Sequence, residues 1–381
     1  MSRFCAVITT INVPTIVAEL ADNARTNKRD VRVIVIGDKR TPPEAERYLE
    51  GLGECGITLD YYSPARQEAY LQAYPELTAI LPWNTDNRRN LGHLIAWADG
   101  DEITLTIDDD NYPAVPDYFG AFDVLGDTGD HTLTSSSNGW YNVCELLEAT
   151  PDMTFHPRGY PVAQRFEATR ITQRQALSRR VVQAGLWNGV PDIDASTHVT
   201  AELATKGTPG RNALLDRGTW CPFNTQNSAF LTEMTPAFYY VSMAAKLGHA
   251  PVDRYGDIWA SYLARKAIDA VEQVDGTFDV VGFGDPLANH IRNQHDALRD
   301  LTLEAPAMAL NPKLLDVLAG IELTPVDSYQ RAADELAELL PAAIQRAPLD
   351  REQRDYLLQL AEKYAIWTRV CRRARNSGGA A

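Results

Sequence analysis

The sequence predicts an α/β protein in which a mostly parallel, Rossmann-like sheet is flanked by helices and followed by a C-terminal helical extension. Three observations predict this fold. Strand-like and helix-like patterns alternate over residues 1–110, a carboxylate cluster follows one strand-like run, and apolar residues recur at helical spacing towards the C-terminus. A change in composition after Ala305 divides the chain into a main domain, residues 1–305, and an extension, residues 306–381.

The alternating pattern consists of strand-like runs separated by helical ones. The strand-like runs are rich in β-branched residues, and a helix between two strands implies a right-handed crossover and parallel pairing. Pro14 and Thr15 provide a helix start before the first helical run. The predicted strands are 4–11, 31–36, 57–61 and 102–107, and the predicted helices are 16–24 and 91–99.

The remainder of the chain contains an irregular region and a helical one. Pro, Gly, Trp and Tyr are frequent in residues 132–295, where we expect functional loops with short strands at 132–134 and 228–231. Residues 327–344 and 350–373 are predicted as amphipathic helices. Their apolar stripes must pack against the main domain or another subunit, so homo-oligomer formation through these helices is one prediction.

Composition restricts the class of protein. Of 381 residues, 51 are acidic and 36 basic, and the net charge of −15 disfavours nucleic-acid and anionic-membrane partners, which require positive charge. No run approaches the roughly 20 apolar residues that span a bilayer. The five cysteines are scattered without a CxxC pair, which is typical of reduced thiols. We therefore expect a cytoplasmic protein without stable membrane insertion.

The most informative motif is the run Asp108, Asp109, Asp110, which directly follows the predicted strand at 102–107. Clustered carboxylates repel one another unless a cation neutralises them, and hard divalent ions such as Mg²⁺ prefer oxygen ligands. Open α/β sheets bind ligands at the carboxyl ends of their strands. We therefore predict that Asp108 and Asp110 hold Mn²⁺ or Mg²⁺, which bridges to a diphosphate. The alternative is an acidic surface turn.

Two further positions in the first half are candidates for nucleotide binding. Asp38 follows the second predicted strand, where it would bind a base or ribose, and turn capping is an equal alternative. Arg89 belongs to the basic segment 87–90 before a predicted helix, where cations and amides hold phosphate. A solvated basic turn is the alternative for this segment.

Arg158 and Arg165 are the candidate catalytic cations. Pro157 and Pro161 stiffen the loop that carries Arg158, so its side chain is presented in a set direction. In so acidic a chain a fixed arginine pair suggests an anionic ligand, such as a departing diphosphate. Ion pairing with a nearby carboxylate such as Glu167 is the structural alternative.

Carboxylates in two later segments are candidates for sugar binding and proton transfer. Asp192 and Asp194 lie in a loop shaped by Gly and Pro, and Asp257 is expected in the first turn of a helix. A surface loop and a helix cap are the respective alternatives. His290 and His295 are candidates for a third metal ligand, with surface positions as the alternative.

Several of these segments carry a resemblance when they are taken in order over residues 5–295. They are Thr9–Thr15, Val35–Lys39, Arg89–Gly92, Ile107–Asp110, Arg158–Pro161 with Arg165, Gly185–Trp187, Pro191–Ala195, Asn227–Phe230 and Asp257–Trp259. Together they resemble the family of reversibly glycosylated polypeptides, which includes the UDP-arabinopyranose mutases of plants. No single segment is decisive, but their order and spacing are fairly specific.

The resemblance implies a GT-A-like, nucleotide-sugar-binding catalytic domain over residues 1–305, a divalent metal, and UDP-sugars as ligands. It also implies that Arg158 matches the arginine that is glycosylated in the family and that Arg165 is its essential neighbour. The residues implied to bind the nucleotide are Thr10, Asn12, Asp38, Arg89, Asp108 and Asp109, and those implied in catalysis are Arg158, Arg165, Asp194 and Asp257.

Departures from the family leave the sugar open. Asn188 and Gly189 stand where plant relatives carry a longer apolar run, and Gly256 stands where an acidic residue commonly precedes the Asp-x-Trp motif. Residues 278–284 contain no histidine that would serve as a metal ligand.

The resemblance implies a metal-dependent mutase that interconverts the pyranose and furanose forms of a UDP-pentose, with UDP-arabinose as the first choice. A glycosyltransferase that passes the sugar to a separate acceptor would share every motif and is the alternative. A third class is a non-catalytic, self-glycosylated subunit that carries sugar. The intact carboxylate and arginine sets count against this third class.

Overall fold

A computed structural model describes residues 3–53, 55–243, 245–273, 275–291 and 296–377. His295, one of the two histidines considered as a metal ligand, lies outside the described residues. The strands are β1 (Phe4–Thr10), β2 (Val31–Gly37), β3 (Thr58–Tyr62), β4 (Ile103–Ile107), β5 (Asn111–Pro113), β6 (Thr128–Ser136), β7 (Leu147–Thr150), β8 (Ile171–Gly189), β9 (Ala204–Gly207), β10 (Ala213–Leu215), β11 (Asn227–Leu231), β12 (Lys246–Leu247), β13 (Ala250–Pro251) and β14 (Phe278–His290).

The helices include all those predicted from the sequence and several that were not. Three of them begin at side-chain caps within the described residues. Ser63 accepts a hydrogen bond from the backbone N–H of Arg66, Asp296 accepts from two backbone N–H groups, and Asp350 accepts from the backbone N–H of Gln353. The helices are α1 (Ile16–Asn27), α2 (Pro43–Gly51), α3 (Pro64–Leu71), α4 (Arg89–Asp99), α5 (Ala195–Thr200), α6 (Gly256–Ile268), α7 (Ala297–Ala319), α8 (Tyr329–Arg346) and α9 (Arg351–Ser377).

The first four strands form a parallel sheet in the order β3-β2-β1-β4. In β1 and β2 successive side chains point to opposite faces. Val7 and Ile34 belong to one core cluster, and Ala6 and Val33 belong to the other. Helix α4 covers the first face and α1 covers the second, so these strands are buried on both sides, as their continuous apolar runs predict.

The later strands extend this sheet with mixed pairing. Strand β11 lies antiparallel between β4 and β8, and β14 then runs parallel to β8. The long β8 also pairs antiparallel with β6 over the whole length of β6. The predicted α/β class, with a helix-flanked sheet and a C-terminal helical extension, is confirmed. The parallel part of the sheet, β3-β2-β1-β4, is the Rossmann-like first half.

The C-terminal helices pack on the rest of the chain. In α9 the indole Nε1 of Trp367 donates to the carbonyl oxygen of Thr235 at 3.0 Å, and Trp97 of α4 donates to the carbonyl oxygen of Cys371 at 2.9 Å. The apolar stripe therefore packs within the chain, which is the first of the two positions predicted for it. The buried members of the stripe include Leu336, Leu340, Ile344, Leu357, Leu360, Tyr364 and Trp367.

The predicted domain boundary between residues 305 and 306 falls inside α7. Pro306 and Pro312 lie within this helix, so the change in composition after Ala305 occurs inside one continuous helix. Helices α7, α8 and α9 share a hydrophobic core with β8 and β14. None of the described helices combines the length and apolarity needed to cross a membrane.

Candidate active site

A cleft of about 400 Å³ opens at the carboxyl ends of β1, β2 and β4. Because parallel strands end at the same edge of the sheet, residues distant in sequence meet there. Among the described residues that line the cleft, eight are aspartates and five are arginines. The aspartates are Asp38, Asp86, Asp108, Asp109, Asp110, Asp192, Asp253 and Asp257, and the arginines are Arg40, Arg88, Arg89, Arg158 and Arg254.

Asp109 and the end of β1 form one hydrogen-bonded group. The hydroxyl of Thr10 donates to Oδ2 of Asp109 at 2.5 Å, and Nδ2 of Asn12 donates to the same oxygen at 3.3 Å. Burial raises the pKa of Asp109, and these two donors oppose that shift. The structure therefore brings together three residues that were implied to bind the nucleotide, and all three line the cleft.

Asp108 accepts a hydrogen bond from the buried Arg89, which fixes its orientation. The Arg89 side chain is buried and donates to Asp108, to the hydroxyls of Thr9 and Thr106, and to the carbonyl oxygen of Thr225. Burial raises the pKa of Asp108 to about 7, and the charges of the neighbouring carboxylates add to the shift while Arg89 opposes it. Arg89 thus orients a carboxylate, whereas the sequence suggested that it binds phosphate directly.

Asp110 faces His290, the last residue of β14. Nε2 of His290 lies 3.7 Å from Oδ2 of Asp110, and Nδ1 lies 2.6 Å from the carbonyl oxygen of Val190. A carbonyl only accepts, so Nδ1 carries a proton. Burial lowers the pKa of His290, but the hydrogen bond and charge of Asp110 outweigh it and raise that pKa. Nε2 would offer a lone pair to a cation once it has lost its own proton. His290 is 7% exposed, so the surface role considered for it does not hold.

Among the described residues, no set of three or more His, Cys, Asp or Glu side chains converges as a complete metal cage. The donors at the strand end nevertheless fit a hard divalent ion that keeps open positions. Asp108 and Asp110 offer carboxylate oxygens. Nδ1 of His290 is hydrogen-bonded to the carbonyl oxygen of Val190, as the non-ligating nitrogen of a metal-binding imidazole usually is. A diphosphate and water would complete such a site.

Asp38 and Arg88 occupy the β2 side of the cleft. The Asp38 carboxylate accepts from the backbone N–H groups of Lys39 and Asn84, with Asn84 at 2.8 Å from Oδ2, so it does cap a turn. Arg88 is 1% exposed and donates to Gln67 and to the carbonyl oxygen of Leu81. Its Nη2 has no hydrogen-bond partner, although Arg88 lines the cleft.

Arg158 lies at the floor of the cleft between two carboxylates. Nε and Nη2 donate to the two oxygens of Asp192 at 2.8 and 2.9 Å, and Nη1 and Nη2 donate to the two oxygens of Asp257 at 2.9 Å. Nη1 also donates to the carbonyl oxygen of Arg254. These contacts use all five N–H groups of the guanidinium. Ion pairing, the structural alternative, is therefore observed, but with Asp192 and Asp257 in place of Glu167.

Arg165 and Asp194 form a second ion pair outside the cleft lining. Asp194 is fully buried and accepts from Arg165, which also donates to the carbonyl oxygen of Tyr160 at 3.1 Å. Neither residue is among those that line the cleft. The structure therefore brings Arg158 and Asp257 to the site and keeps Arg165 and Asp194 behind it, next to the loop that carries Arg158.

Sequence reasoning missed a group of cleft residues on loops. Tyr240 donates its hydroxyl to Oδ2 of Asp86 at 2.5 Å, and burial together with the charge of Asp86 raises the pKa of Asp253. Asn84 and Gln226 also line the cleft. The signal for Asp253 was its position four residues before Asp257. The other positions have no local pattern that marks them.

Comparisons with known proteins give no family assignment. None of the protein-family models and none of the curated proteins compared matches the chain. Among solved structures, it is similar to glucosyl-3-phosphoglycerate synthase from Mycobacterium tuberculosis in complex with Mn²⁺, uridine diphosphate and glucosyl-3-phosphoglycerate, with a TM-score of 0.39, 11% identity, and coverage of 84% of this chain and 81% of that one.

A second likeness is to S. aureus TarS residues 1–349, with a TM-score of 0.39, 12% identity, and coverage of 98% of this chain and 90% of that one. In a longer TarS structure the match covers 55% of that chain, with a TM-score of 0.37 and 11% identity.

Proposed function

We propose that this protein is a divalent-metal-dependent enzyme that acts on a UDP-sugar and transfers the sugar to an acceptor. The observation that carries the proposal is the acidic cleft at the ends of β1, β2 and β4, where Asp108, Asp110 and His290 face one space. A diphosphate would be repelled from eight aspartates unless a cation accompanied it.

Uracil as the base is supported by the hydrogen-bonding pattern on the β2 side. Asp38 keeps acceptor capacity on Oδ2, and Arg88 has an unpartnered N–H on Nη2. Both residues line the same cleft, and an acceptor and a donor there would complement the N–H and C=O edge of uracil, whereas cytosine presents the reverse pattern. Guanine shares the uracil pattern but is larger, so the size of the subsite separates the two.

Transfer to an acceptor is favoured over ring isomerisation by the extent of the cleft. Besides the carboxylates at the strand ends, the cleft is lined by Tyr240, Asp86 and Asp253, which are polar groups that a second substrate could contact. A mutase that returns UDP to the same sugar requires no such subsite. A UDP-arabinopyranose mutase is the second candidate function, because the ordered motifs resemble those of that family.

The divalent ion, Arg89 and Arg158 have separate roles in the proposed reaction. When a divalent ion is bound, it supplies neutralisation of the charge on the departing diphosphate. Arg89 holds Asp108 in a fixed orientation, so the ligand oxygens are preorganised. Arg158 fixes Asp192 and Asp257. Oδ1 of Asp192 accepts from Arg158 and keeps acceptor capacity for a sugar hydroxyl, whereas each oxygen of Asp257 already accepts two hydrogen bonds.

A self-glycosylated carrier is the least supported class. Glycosylation of Arg158 would require a guanidinium nitrogen that can attack, and all five N–H groups are engaged with Asp192, Asp257 and Arg254. Intact mass after incubation with UDP-sugars tests this class, because a pentose or hexose adduct would support it. A cytoplasmic location remains part of the proposal and is supported by the five unpaired cysteines.

One experiment tests the main proposal. The protein is incubated with Mn²⁺ and a panel of UDP-pentoses and UDP-hexoses, with and without a panel of acceptor sugars, and the products are resolved chromatographically. UDP release that depends on an acceptor supports transfer. Exchange between pyranose and furanose forms without an acceptor supports the mutase. Failure to bind UDP in the presence of Mn²⁺ would refute both.

A further inference from the structure

The carbonyl that completes the Arg158 cluster comes from a residue in an unusual backbone conformation. Arg254 has a φ of 66°, in the left-handed region that non-glycine residues seldom adopt. In this conformation its carbonyl oxygen accepts from Nη1 of Arg158. The left-handed turn at Arg254 therefore supplies one of the five acceptors that surround the Arg158 guanidinium.

Helix α7 holds Arg254 in place. Nε of Arg254 donates to Oε2 of Glu304 at 3.1 Å, and Nη1 lies 3.4 Å from Oδ2 of Asp300. The preceding residue is tied to the same helix, since the backbone N–H of Asp253 donates to the carbonyl oxygen of Leu303 at 3.1 Å. Both side-chain and main-chain contacts thus connect α7 to the turn that faces Arg158.

Glu304 also reaches the second arginine pair. It is fully buried, and its Oε1 accepts from the backbone N–H of Ala195 at 3.0 Å. Ala195 directly follows Asp194, which pairs with Arg165. The buried Glu304 carboxylate therefore contacts Arg254, whose carbonyl oxygen accepts from Arg158. It also contacts Ala195, which follows Asp194, the partner of Arg165.

We infer that Glu304 is a positioning residue for the active site, which aligns Arg158 through Arg254 and Asp194 through Ala195. Glu304 does not line the cleft, so it does not touch the substrate. This inference rests on the proposed function for its kinetic consequence, but the alignment of Arg158 is measurable without any substrate. A purely structural role predicts loss of stability alone, whereas a positioning role predicts loss of turnover at unchanged nucleotide affinity.

The test uses the full-length chain with Glu304→Gln, which keeps the shape but removes the charge that Arg254 contacts. Asp316→Asn, at an exposed position on the same helix, is the matched control. UDP affinity with Mn²⁺ is measured by calorimetry, and turnover is measured with UDP-arabinopyranose and UDP-glucose. The Nε–H signal of Arg158 is followed in ¹⁵N-labelled protein, because its hydrogen bond to Asp192 slows exchange with water.

We expect Glu304→Gln to lower kcat at least about 10-fold, to change UDP affinity less than 3-fold, and to weaken the exchange protection of Arg158 Nε–H. The double variant Glu304→Gln with Arg254→Gln should lose no more turnover than the worse single variant, since both act along one path. Unchanged Arg158 protection in Glu304→Gln would overturn the inference, whether or not any UDP-sugar is turned over.

A folding defect would leave the inference testable. If Glu304→Gln does not fold, Arg254→Lys replaces it, because a lysine keeps the cation beside Glu304 and loses the fork that reaches both Glu304 and Asp300. Reduced Arg158 protection in that variant supports the inference, and protection equal to the wild type overturns it. Absence of UDP binding by the wild type, with Arg158 still aligned through Glu304, would refute only the proposed function.

Discussion

At the scale of single residues, charged side chains of one type serve different purposes in this cleft. Arg89 and Arg158 are buried and donate hydrogen bonds to aspartates, while Arg88 donates to uncharged groups and its Nη2 has no hydrogen-bond partner. Asp38 caps a turn, whereas Asp110 faces His290. Residue type and approximate position were predictable, but the partner of each side chain decides its role.

Asp110→Asn should remove the metal dependence of UDP binding. The substitution deletes a negative oxygen ligand and leaves the shape of the site intact, so the gain in UDP affinity on adding Mn²⁺ should fall at least about 10-fold, which corresponds to 1.4 kcal/mol. Calorimetry with Mn²⁺ and with a chelator measures this gain. The exposed Asp130→Asn serves as control, and an unchanged gain in Asp110→Asn would place the metal elsewhere.

The nucleobase edge should be recognised through Arg88. We expect the wild type to bind UDP about 10- to 100-fold more tightly than CDP, because CDP would leave the Arg88 donor and the Asp38 acceptor facing like groups. Arg88→Met should bring the two affinities closer together. GDP tests the size of the subsite. Equal affinity of the wild type for UDP and CDP would contradict this assignment.

Because His93 is buried and uncharged, we expect the folded protein to lose stability in acid. His93 is fully buried on α4 against Phe230 and Phe238, neither ring nitrogen has a partner, and burial lowers its pKa to about 3. The unfolded chain binds a proton near pH 6.5, so this contribution is present above pH 6.5 and is lost by up to about 1.4 kcal/mol per unit as the pH falls towards 3.

Denaturant unfolding between pH 7 and pH 4 measures this loss. The wild type should lose more free energy of unfolding than His93→Leu over that range, because leucine binds no proton in either state. His249→Leu, at an exposed position, is the control and should follow the wild type. If the wild type and His93→Leu show parallel pH dependence, His93 does not contribute.

At the scale of elements, close approach between α4 and β1 sets the geometry of the cleft. A Cβ on Gly92 of α4 would lie 2.3 Å from Cγ1 of Val7, so glycine alone lets the helix come this near to the strand. Arg89 lies one turn before Gly92 and reaches Asp108 at the end of β4. The packing of one helix therefore determines where the central carboxylate lies.

Two glycines in helices make a matched pair of substitutions. Gly92→Ala should destabilise the protein by about 1–3 kcal/mol through overpacking, although alanine is the better helix former. Gly51→Ala, at the end of α2 with no atom within 4 Å of the added Cβ, should be neutral or stabilise by up to about 1 kcal/mol. Thermal unfolding of both variants measures the effects, and equal shifts would show that α4 does not require the close approach.

At the scale of the whole molecule, one hydrophobic core joins the sheet to the C-terminal helices. Trp367 and Tyr364 of α9 are fully buried, and Leu336 of α8 belongs to the same cluster as Val281 of β14. The extension is therefore part of the folding unit that carries the site. With this apolar surface covered, we expect no association through these helices.

Ending the chain after Pro348 should abolish cooperative folding. The truncation removes α9, and each large buried side chain contributes about 1.5–3 kcal/mol, so losing several approaches the whole stability of a typical domain. Circular dichroism on heating tests this, and light scattering of the intact protein should give a mass near 42.2 kDa. A truncated chain that melts cooperatively at the wild-type temperature, or an intact chain of twice that mass, would contradict this assignment of α9.

The sequence by itself determined the parallel half of the fold and the centre of the site. The β-branched runs at β1, β2 and β4 form strands through local preference, and parallel pairing then places Thr10, Asp38 and Asp108 at one edge of the sheet. The apolar stripes of α8 and α9 likewise fixed their burial. These features follow from periodicities of a few residues, which sequence displays directly.

Only the tertiary structure decided which groups pair across long separations. Arg158 meets Asp257, which lies 99 residues away, and Glu304 contacts Ala195 at a separation of 109 residues. The 19-residue strand β8 and the strand β14 were not predicted, because their exposed and Gly-containing stretches lack simple alternation. Such pairings arise because a buried charge must find a partner once the chain is compact, and no local spacing specifies that partner.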